Sequence, residues 1–382
     1  MIEKQRMTEY VMDLIRIDSL SKKEKDVALK LKKDMEEIGG ECFFDDADKK
    51  VNGDIGNLIV KIQGNKGDAN PFFLSSHMDT VGPGEGIRPR IEDGVIKSDG
   101  TTILGSDDKS GLAIIVEVVR TLKEKNIPHG DIEIAFTICE EIGLLGAKYI
   151  DTSNFRSKYG IVLDSSSPSQ LVVKCPSAER LEFKVYGLEA HAGVYPERGI
   201  NAIKVASEAI SRMKLGRIDF ETTANIGIIR GGLATNIIPN YVDVIGEVRS
   251  HSEEKLRAQV EHMRRCFHDA ASRYQLTLEG KTYSARVEED IERSYDRMDV
   301  SSESKVVKLI NQAVKNLGYN ITPHASGGGC DANYFNKKGI ECVNLGTGMK
   351  EIHTVNEYLV LEEFYLAADI VLEMIKLSAI NQ

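Results

Sequence analysis

The run Leu112–Leu122, LAIIVEVVRTL, constrains the fold more than any other stretch. It is apolar almost all the way round a helix, so that helix has to be covered on both sides. Its surroundings offer the cover. Upstream, MTEYVMDLIRI places Tyr10, Val11, Leu14 and Ile15 on one stripe, and a second helix is predicted from Lys23 to about Glu37, ended by Gly39-Gly40. The β-rich runs ECFFD, GNLIVKIQG and NPFFLSSH follow. Downstream come the alternating strand DIEIAFTI, a helix through EIGLLGAKYI and the apolar strand GIVLD. Strands alternating with helices predict an α/β domain with a mostly parallel central sheet.

The pattern changes near residue 177. ERLEFKVYG reads as a strand and NAIKVASEAISRM as an amphipathic helix. ANIGIIRGG and YVDVIGEVRS read as two strands, SEEKLRAQVEHMRRCFHDAASRY as a long helix, and LTLEGKTYSA as a closing strand. That order, βαββαβ, is the split ferredoxin-like unit. After about residue 290 the α/β pattern returns with SKVVKLINQAVKNLG, ECVNLG and EEFYLAADIVLEMIKL. The expected organisation is an α/β domain in two parts, 1–176 and 290–382, with a ferredoxin-like insert at 177–289.

A length of 382 residues leaves room for two such domains. With 49 Lys and Arg against 59 Asp and Glu, the chain is mildly acidic and its charge is scattered. That argues against nucleic acid or an anionic membrane as a partner. No apolar run approaches the ~20 residues that span a bilayer, and charges break the N-terminal stretch where a signal-peptide core would lie. The six cysteines form no CxxC pair and read as reduced thiols. A cytoplasmic protein is expected.

Histidines and acids sit at or just beyond the ends of predicted strands: His77-Met78-Asp79 after FFLSS, Glu140-Glu141 after IEIAFTIC, Asp164 after GIVL, and His353 beyond ECVNLGTG. A further segment, GSDDK at Gly105–Lys109, precedes the buried helix. In open α/β sheets, sites gather where the carboxyl ends of strands bring loops together. Two histidines with several carboxylates and no cysteine suit Zn²⁺, Mn²⁺ or Co²⁺ at a hydrolytic site. Each segment alone has a plainer reading. Glu140-Glu141 could favour the positive end of a helix, Asp107-Asp108 could cap one, Asp164 could be a turn residue and His353 a surface histidine. For the plain readings to hold together, the same accident must recur at strand after strand.

SSHMDTV, GSDDKSG, ICEEIGLLGAK, VLDSS and EIHTVNE resemble, in that order, the signatures of the dinuclear zinc aminopeptidase and carboxypeptidase superfamily. The chain looks most like that superfamily's peptidase T-like tripeptidases, over its whole length. The resemblance implies a zinc-peptidase catalytic domain and makes the insert a lid and dimerisation domain. It implies two divalent metal ions, zinc foremost, with cobalt or manganese as alternatives. His77, Asp107 and Asp164 would hold one metal; Asp107, Glu141 and His353 would hold the other, with Asp107 as bridge. Glu140 is implied as general base toward a water shared by the metals, and Asp79 as the acceptor that orients His77.

In the insert, His191 of GLEAHAG, Asn236 of GGLATNIIPN and Arg249 of EVRS match substrate-binding positions of the superfamily. Read alone, Asn236 is equally a turn residue and Arg249 the partner of a surface acid. SGGGCDAN, Ser326–Asn333, resembles a Gly-rich substrate-side loop, although family members often carry Thr where this chain has Cys330. Its glycines imply unusual φ or close backbone approach. Cys139 reads as a packed thiol, and His129, His251, His262, His268 and His324 as surface or lid residues. The implied function is a metal-dependent exopeptidase: an aminopeptidase acting on short peptides as a homodimer. Asp rather than Glu at position 164 leans the same way. The alternatives are an N-acyl-amino-acid or dipeptide amidohydrolase with the same site, and a non-catalytic scaffold. Every implied ligand and Glu140 are retained, which counts against the scaffold.

Overall fold

The computed structural model describes residues 1–380. They form two compact units, one made of Met1–Cys175 together with the chain from Met298 on, the other of Pro176–Arg297. Residues 381 and 382, the end of the expected second part of the α/β domain, lie outside the described residues.

The first unit is built on a twisted sheet. Its centre is four parallel neighbours, in the order Ile132–Thr137, Phe72–His77, Tyr159–Ser165 and Glu341–Gly346. Antiparallel strands flank them, Leu58–Ile62 and Gly40–Phe44 on one side and Gln170–Cys175 on the other. Every residue of Phe72–His77 and Ile132–Thr137 is buried, as expected of parallel strands covered on both faces. The helix Ser106–Glu124 explains the all-round apolar run. One side lies on Phe72–His77 and Tyr159–Ser165, the other against the helices Lys4–Ile15 and Leu361–Ile380. Gly111 is needed where this helix meets the sheet, because a Cβ there would lie 2.4 Å from the Leu163 carbonyl oxygen.

Chain order makes a switch point. From Phe72–His77 the chain goes to Ile132–Thr137 on one side, then crosses to Tyr159–Ser165 on the other. A crevice opens beyond the carboxyl ends of strands at such a point.

Two local expectations fail in this unit. The helix through EIGLLGAKYI is only Leu145–Tyr149. Before it, Gly143 (φ +119°) and Leu144 (φ 58°) take left-handed conformations, so Glu140 and Glu141 sit in a turn and do not open a helix. The strand Gln170–Cys175 and a small sheet of Arg90–Glu92, Val95–Lys97, Met349–Lys350 and Tyr358–Val360 were not anticipated.

The second unit is an antiparallel sheet in the order Thr222–Gly231, Tyr241–Ser250, Ser177–Tyr186, Arg286–Tyr295. Its core comes from sheet residues packed with the helices Ala202–Ser211 and Glu253–Ala271, capped by Asn201 and Ser252. Phe183 and Phe267 stack at its centre, 4.2 Å between ring centroids. Burying each such ring contributes on the order of 1.5–3 kcal/mol. LTLEGKTYSA is not the closing strand. It is a separate hairpin, Gln275–Leu278 with Lys281–Ser284, turning through Glu279 (φ 50°) and Gly280 (φ 81°). The closing strand is Arg286–Tyr295, so this unit ends at Arg297 and not at 289. Among the described residues, no helix is long and apolar enough to cross a membrane.

Candidate active site

The carboxyl ends of the parallel strands bring two groups of candidate ligands together. His77, Asp107 and Asp164 form one, Asp107, Glu141 and His353 the other; within each group, one donor atom per residue lies within 4.8 Å of the others. Asp107 belongs to both. Its Oδ1 is 3.1 Å from His77 Nε2, and its Oδ2 is 3.1 Å from His353 Nε2. Asp164 Oδ1 lies 3.8 Å from His77 Nε2, and Glu141 Oε1 lies 3.0 Å from His353 Nε2. A tetrahedral cation with bonds of ~2.0–2.2 Å holds its ligand atoms roughly 3.3–3.6 Å apart. These separations bracket that range, and the donors are imidazole and carboxylate, so the residues fit two divalent cations. His77 and Asp107 are buried, while the His353 side chain is 47% exposed and marks the open side.

Local structure aims the candidate ligands Asp107 and Asp164. Asp107 has non-helical backbone at the start of its helix (φ −81°, ψ 101°), which turns it away from the helix face. The neighbouring Asp108 faces inward. It accepts from Ser76 Oγ at 2.6 Å and from the Gly111 amide at 3.2 Å. Asp164 is fixed by Asn344, whose side chain accepts from the Asp164 amide and donates to its carbonyl.

Asp79 reaches both His77 and the turn that follows Thr137. The acceptor nearest to His77 Nδ1 is the Asp79 backbone carbonyl at 2.9 Å; the carboxylate is 3.4 Å away. The carboxylate also accepts from the amides of Glu140 (2.9 Å) and Glu141 (3.2 Å) and from Ser21 Oγ (2.7 Å). The turn after Ile132–Thr137 exposes two successive amides, and a buried carboxylate is the strongest acceptor for them.

The electrostatics show a site short of positive charge. Burial, then Glu140 and Asp107, push the Asp164 carboxyl well up. Burial pushes Glu140 well up too; His77 opposes this, while Asp331, Glu141 and Asp79 add to it. Burial also opposes ionisation of Asp107, but hydrogen bonds from His353 and His77 overcome it and hold that carboxyl below the usual range. His353 is pushed up to about 10 by Asp107 and then Glu141. Buried acids in such excess are relieved by cations.

The remaining sequence candidates lie in the second unit. His191 and Asn236 are neighbours there: Ala190–His191 pairs with Ile237–Ile238, and the Ala192 amide donates to the Asn236 carbonyl. His191 Nδ1 accepts from the Gly193 and Val194 amides, both at 3.2 Å, which leaves Nε2 as the N–H donor. Arg249 is near the far end of Tyr241–Ser250, opposite Ala178 and paired with Glu247 at 3.0 Å. Roughly 25 Å of strand separates Tyr241 from Arg249, so within this unit the structure does not bring Arg249 to the other two.

Three buried carboxylates near the ligands escaped the sequence reading. Glu357 accepts from the loop that carries Asp107. Glu24 accepts from the Cys139 amide at 3.0 Å, while its Oε2 is buried without a hydrogen-bond partner among the described residues. Asp331 accepts from the Thr137 hydroxyl, and its Oδ1 likewise has no hydrogen-bond partner among the described residues. Glu357 closes the quoted EIHTVNE and Asp331 lies within SGGGCDAN, yet neither acid was singled out. Two further expectations are corrected. His129 is buried in the first unit, bonded to the Gly130 carbonyl, and is neither a surface nor a lid residue. Gly327 has no positive φ and open space where a Cβ would be, so neither reason proposed for a glycine applies there. Cys139 is packed, and burial with Glu24 pushes its thiol well up, away from nucleophile chemistry.

This fold and site define a class, the metal-dependent hydrolases that work at the carboxyl edge of a parallel sheet. Residues 73–377 match the family described as Peptidase family M20/M25/M40. The chain belongs to that family and is a peptide-bond hydrolase. It is 40% identical to the protein YqjE of Bacillus subtilis (strain 168), over 99% of this chain and 100% of that one. It resembles the crystal structure of aminopeptidase PepT from Bacillus cereus ATCC 10987, with a TM-score of 0.86, 41% identity and 99% of both chains covered. A tripeptidase from Staphylococcus aureus subsp. aureus Mu50 superposes with a TM-score of 0.91 at 38% identity over 100% of both chains.

Proposed function

We propose that this protein is a cytoplasmic aminopeptidase that removes the first residue of short peptides, tripeptides foremost, using two divalent metal ions. The observation that carries the reading is the shared Asp107, whose two carboxylate oxygens face two histidines from different loops. The full-length likeness to an aminopeptidase and a tripeptidase supports the substrate class. His77, Asp107 and Asp164 would hold one cation and Asp107, Glu141 and His353 the other. When bound, zinc, cobalt or manganese would acidify water and polarise the scissile carbonyl.

The chain's own residues do the rest. Glu140 takes a proton from the attacking water and passes it to the leaving amine. Asp79 keeps Glu140 and Glu141 facing their separate tasks by holding both amides, and its carbonyl fixes the tautomer of His77. His191 offers an N–H to the carbonyl oxygen as charge develops there. Asn236 and Arg249 hold the polar parts of the peptide, Arg249 through its planar fork.

A homodimer is part of the proposal. An extended tripeptide is about 10 Å long, too short to touch both Arg249 and the His191–Asn236 pair of one chain. Arg249 and the His191–Asn236 pair would then come from different copies, and we assign His191 to the second one. The strand Thr222–Gly231 supports pairing through this unit. Among the described residues its outer edge is paired only by Gly216–Arg217, and Ile229 and nearby Leu233 (83% exposed) face solvent.

The test is hydrolysis of tripeptides with free and with acetylated amino ends by metal-loaded protein, read by mass spectrometry. Release of the first residue from free peptides only is expected. Preference for the acetylated substrates would instead make the protein an amidohydrolase.

A further inference from the structure

Glu357 lies four residues beyond His353, is fully buried, and spends its whole carboxylate on one loop. Oε2 accepts from the Leu104 and Gly105 amides, both at 2.8 Å, while Oε1 accepts from Ser106 Oγ at 2.6 Å and from the Asp107 amide at 3.1 Å. The helix Ser106–Glu124 begins after Gly105 and has no side-chain cap of its own. Glu357 supplies that cap from a distant part of the chain, placing negative charge at the helix's positive end. The loop it caps presents Asp107, and its own loop presents His353, so one side chain ties together two segments that each carry a metal ligand.

We infer that Glu357 is a positioning residue for metal binding: it sets the spacing between Asp107 and His353, and so the affinity of the ligand group they share with Glu141. This rests on the two-metal reading above. A glutamine at 357 keeps the shape but turns an amide NH₂ toward one pair of donors. Either the Leu104–Gly105 pair or the Asp107 amide then loses its acceptor, and the spacing relaxes. Changes behind the ligands of a metal site typically cost 10–100-fold in affinity.

The experiment measures zinc affinity of metal-free protein by competition with a chromophoric chelator, for wild type, Glu357→Gln, Ser106→Ala and Glu133→Gln. Glu133 is the control. It is another buried carboxylate clamp, accepting from the Arg156 and Ser157 amides and Ser157 Oγ, and is no part of either ligand group. Wild type is expected to bind two zinc ions. Glu357→Gln should bind one of them about 10–100-fold more weakly. Ser106→Ala, which deletes one bond of the clamp, should lose about three- to tenfold. Glu133→Gln should lower the unfolding midpoint and leave both affinities unchanged. If Glu357→Gln does not fold, Ser106→Ala decides. Two wild-type affinities in every folded variant at Glu357 and Ser106 would overturn the inference alone. Wild-type protein that binds no zinc would overturn the two-metal reading, and this inference with it.

Discussion

Replacing Asp79 with alanine tests whether its carboxylate, and not only its backbone, organises the site. The side chain is fully buried and accepts from Glu140 N, Glu141 N and Ser21 Oγ. Alanine leaves two backbone donors without their acceptor in a mostly buried turn. Each buried donor left unsatisfied costs about 1–3 kcal/mol. With partial relief from water in the cavity, a loss of about 2–4 kcal/mol is expected, which a domain stable by about 5–15 kcal/mol survives. The catalytic cost should be larger. Glu140 and Glu141 share the loosened turn, and a displacement of ~1 Å at reacting groups costs on the order of 10²-fold in rate. Asp79→Asn should fall between, since the amide oxygen can still accept from one of the two amides. The assays are urea unfolding of the metal-free protein and steady-state hydrolysis of a tripeptide at saturating metal. A folded Asp79→Ala protein with kcat within a few-fold of wild type would refute the reasoning.

Arg249→Lys keeps the charge but loses the planar fork, so KM should rise about tenfold or more with kcat little changed; unchanged kinetics would make Arg249 structural. Mixing Glu140→Ala with His191→Ala protein under subunit exchange should restore about a quarter of wild-type activity, because half the dimers are mixed and each has one intact site. No recovery despite proven exchange would place His191 in cis. Glu24 is pushed up from 4.5 to about 7, chiefly by burial and then by Asp79. Its protonated form is therefore favoured by folding, and that contribution is present below about pH 4.5 and lost as pH rises through about 7. At 1.36 kcal/mol per pKa unit, metal-free Glu24→Gln should gain up to about 3 kcal/mol over wild type between those pH values, measured by urea unfolding; parallel pH curves would contradict this.

What was legible in the sequence follows the physics of each element. Leu112–Leu122 announced a helix covered on both sides, because nothing else can bury so continuous an apolar surface. The segments with candidate ligands stood out because acids and histidines at the ends of apolar strands need a reason. The turn at Glu140-Glu141 was read as a helix start because LLGAKY has helix-forming residues, and only the left-handed Gly143 and Leu144 reveal the delay. The hairpin at Gln275–Ser284 hid inside one β-rich run, its turn marked only by Glu279-Gly280. Glu24, Asp331 and Glu357 were invisible as buried acids, since their partners are amides and hydroxyls remote in the chain. The further partners of the Asp79 carboxylate were invisible for a related reason. The resemblance implied a role toward His77, and folding adds amides more than sixty residues on.

The central claim is that Asp107 is shared by two metal ions while Glu140 only moves protons. Metal analysis of zinc-loaded Asp107→Ala and Glu140→Ala proteins, after removal of unbound zinc, tests it directly. The account predicts close to two zinc ions per chain in Glu140→Ala, as in wild type, with turnover lost by several powers of ten. It predicts a clear deficit in folded Asp107→Ala, because both ligand groups lose a member. Equal zinc content in the two variants would contradict it.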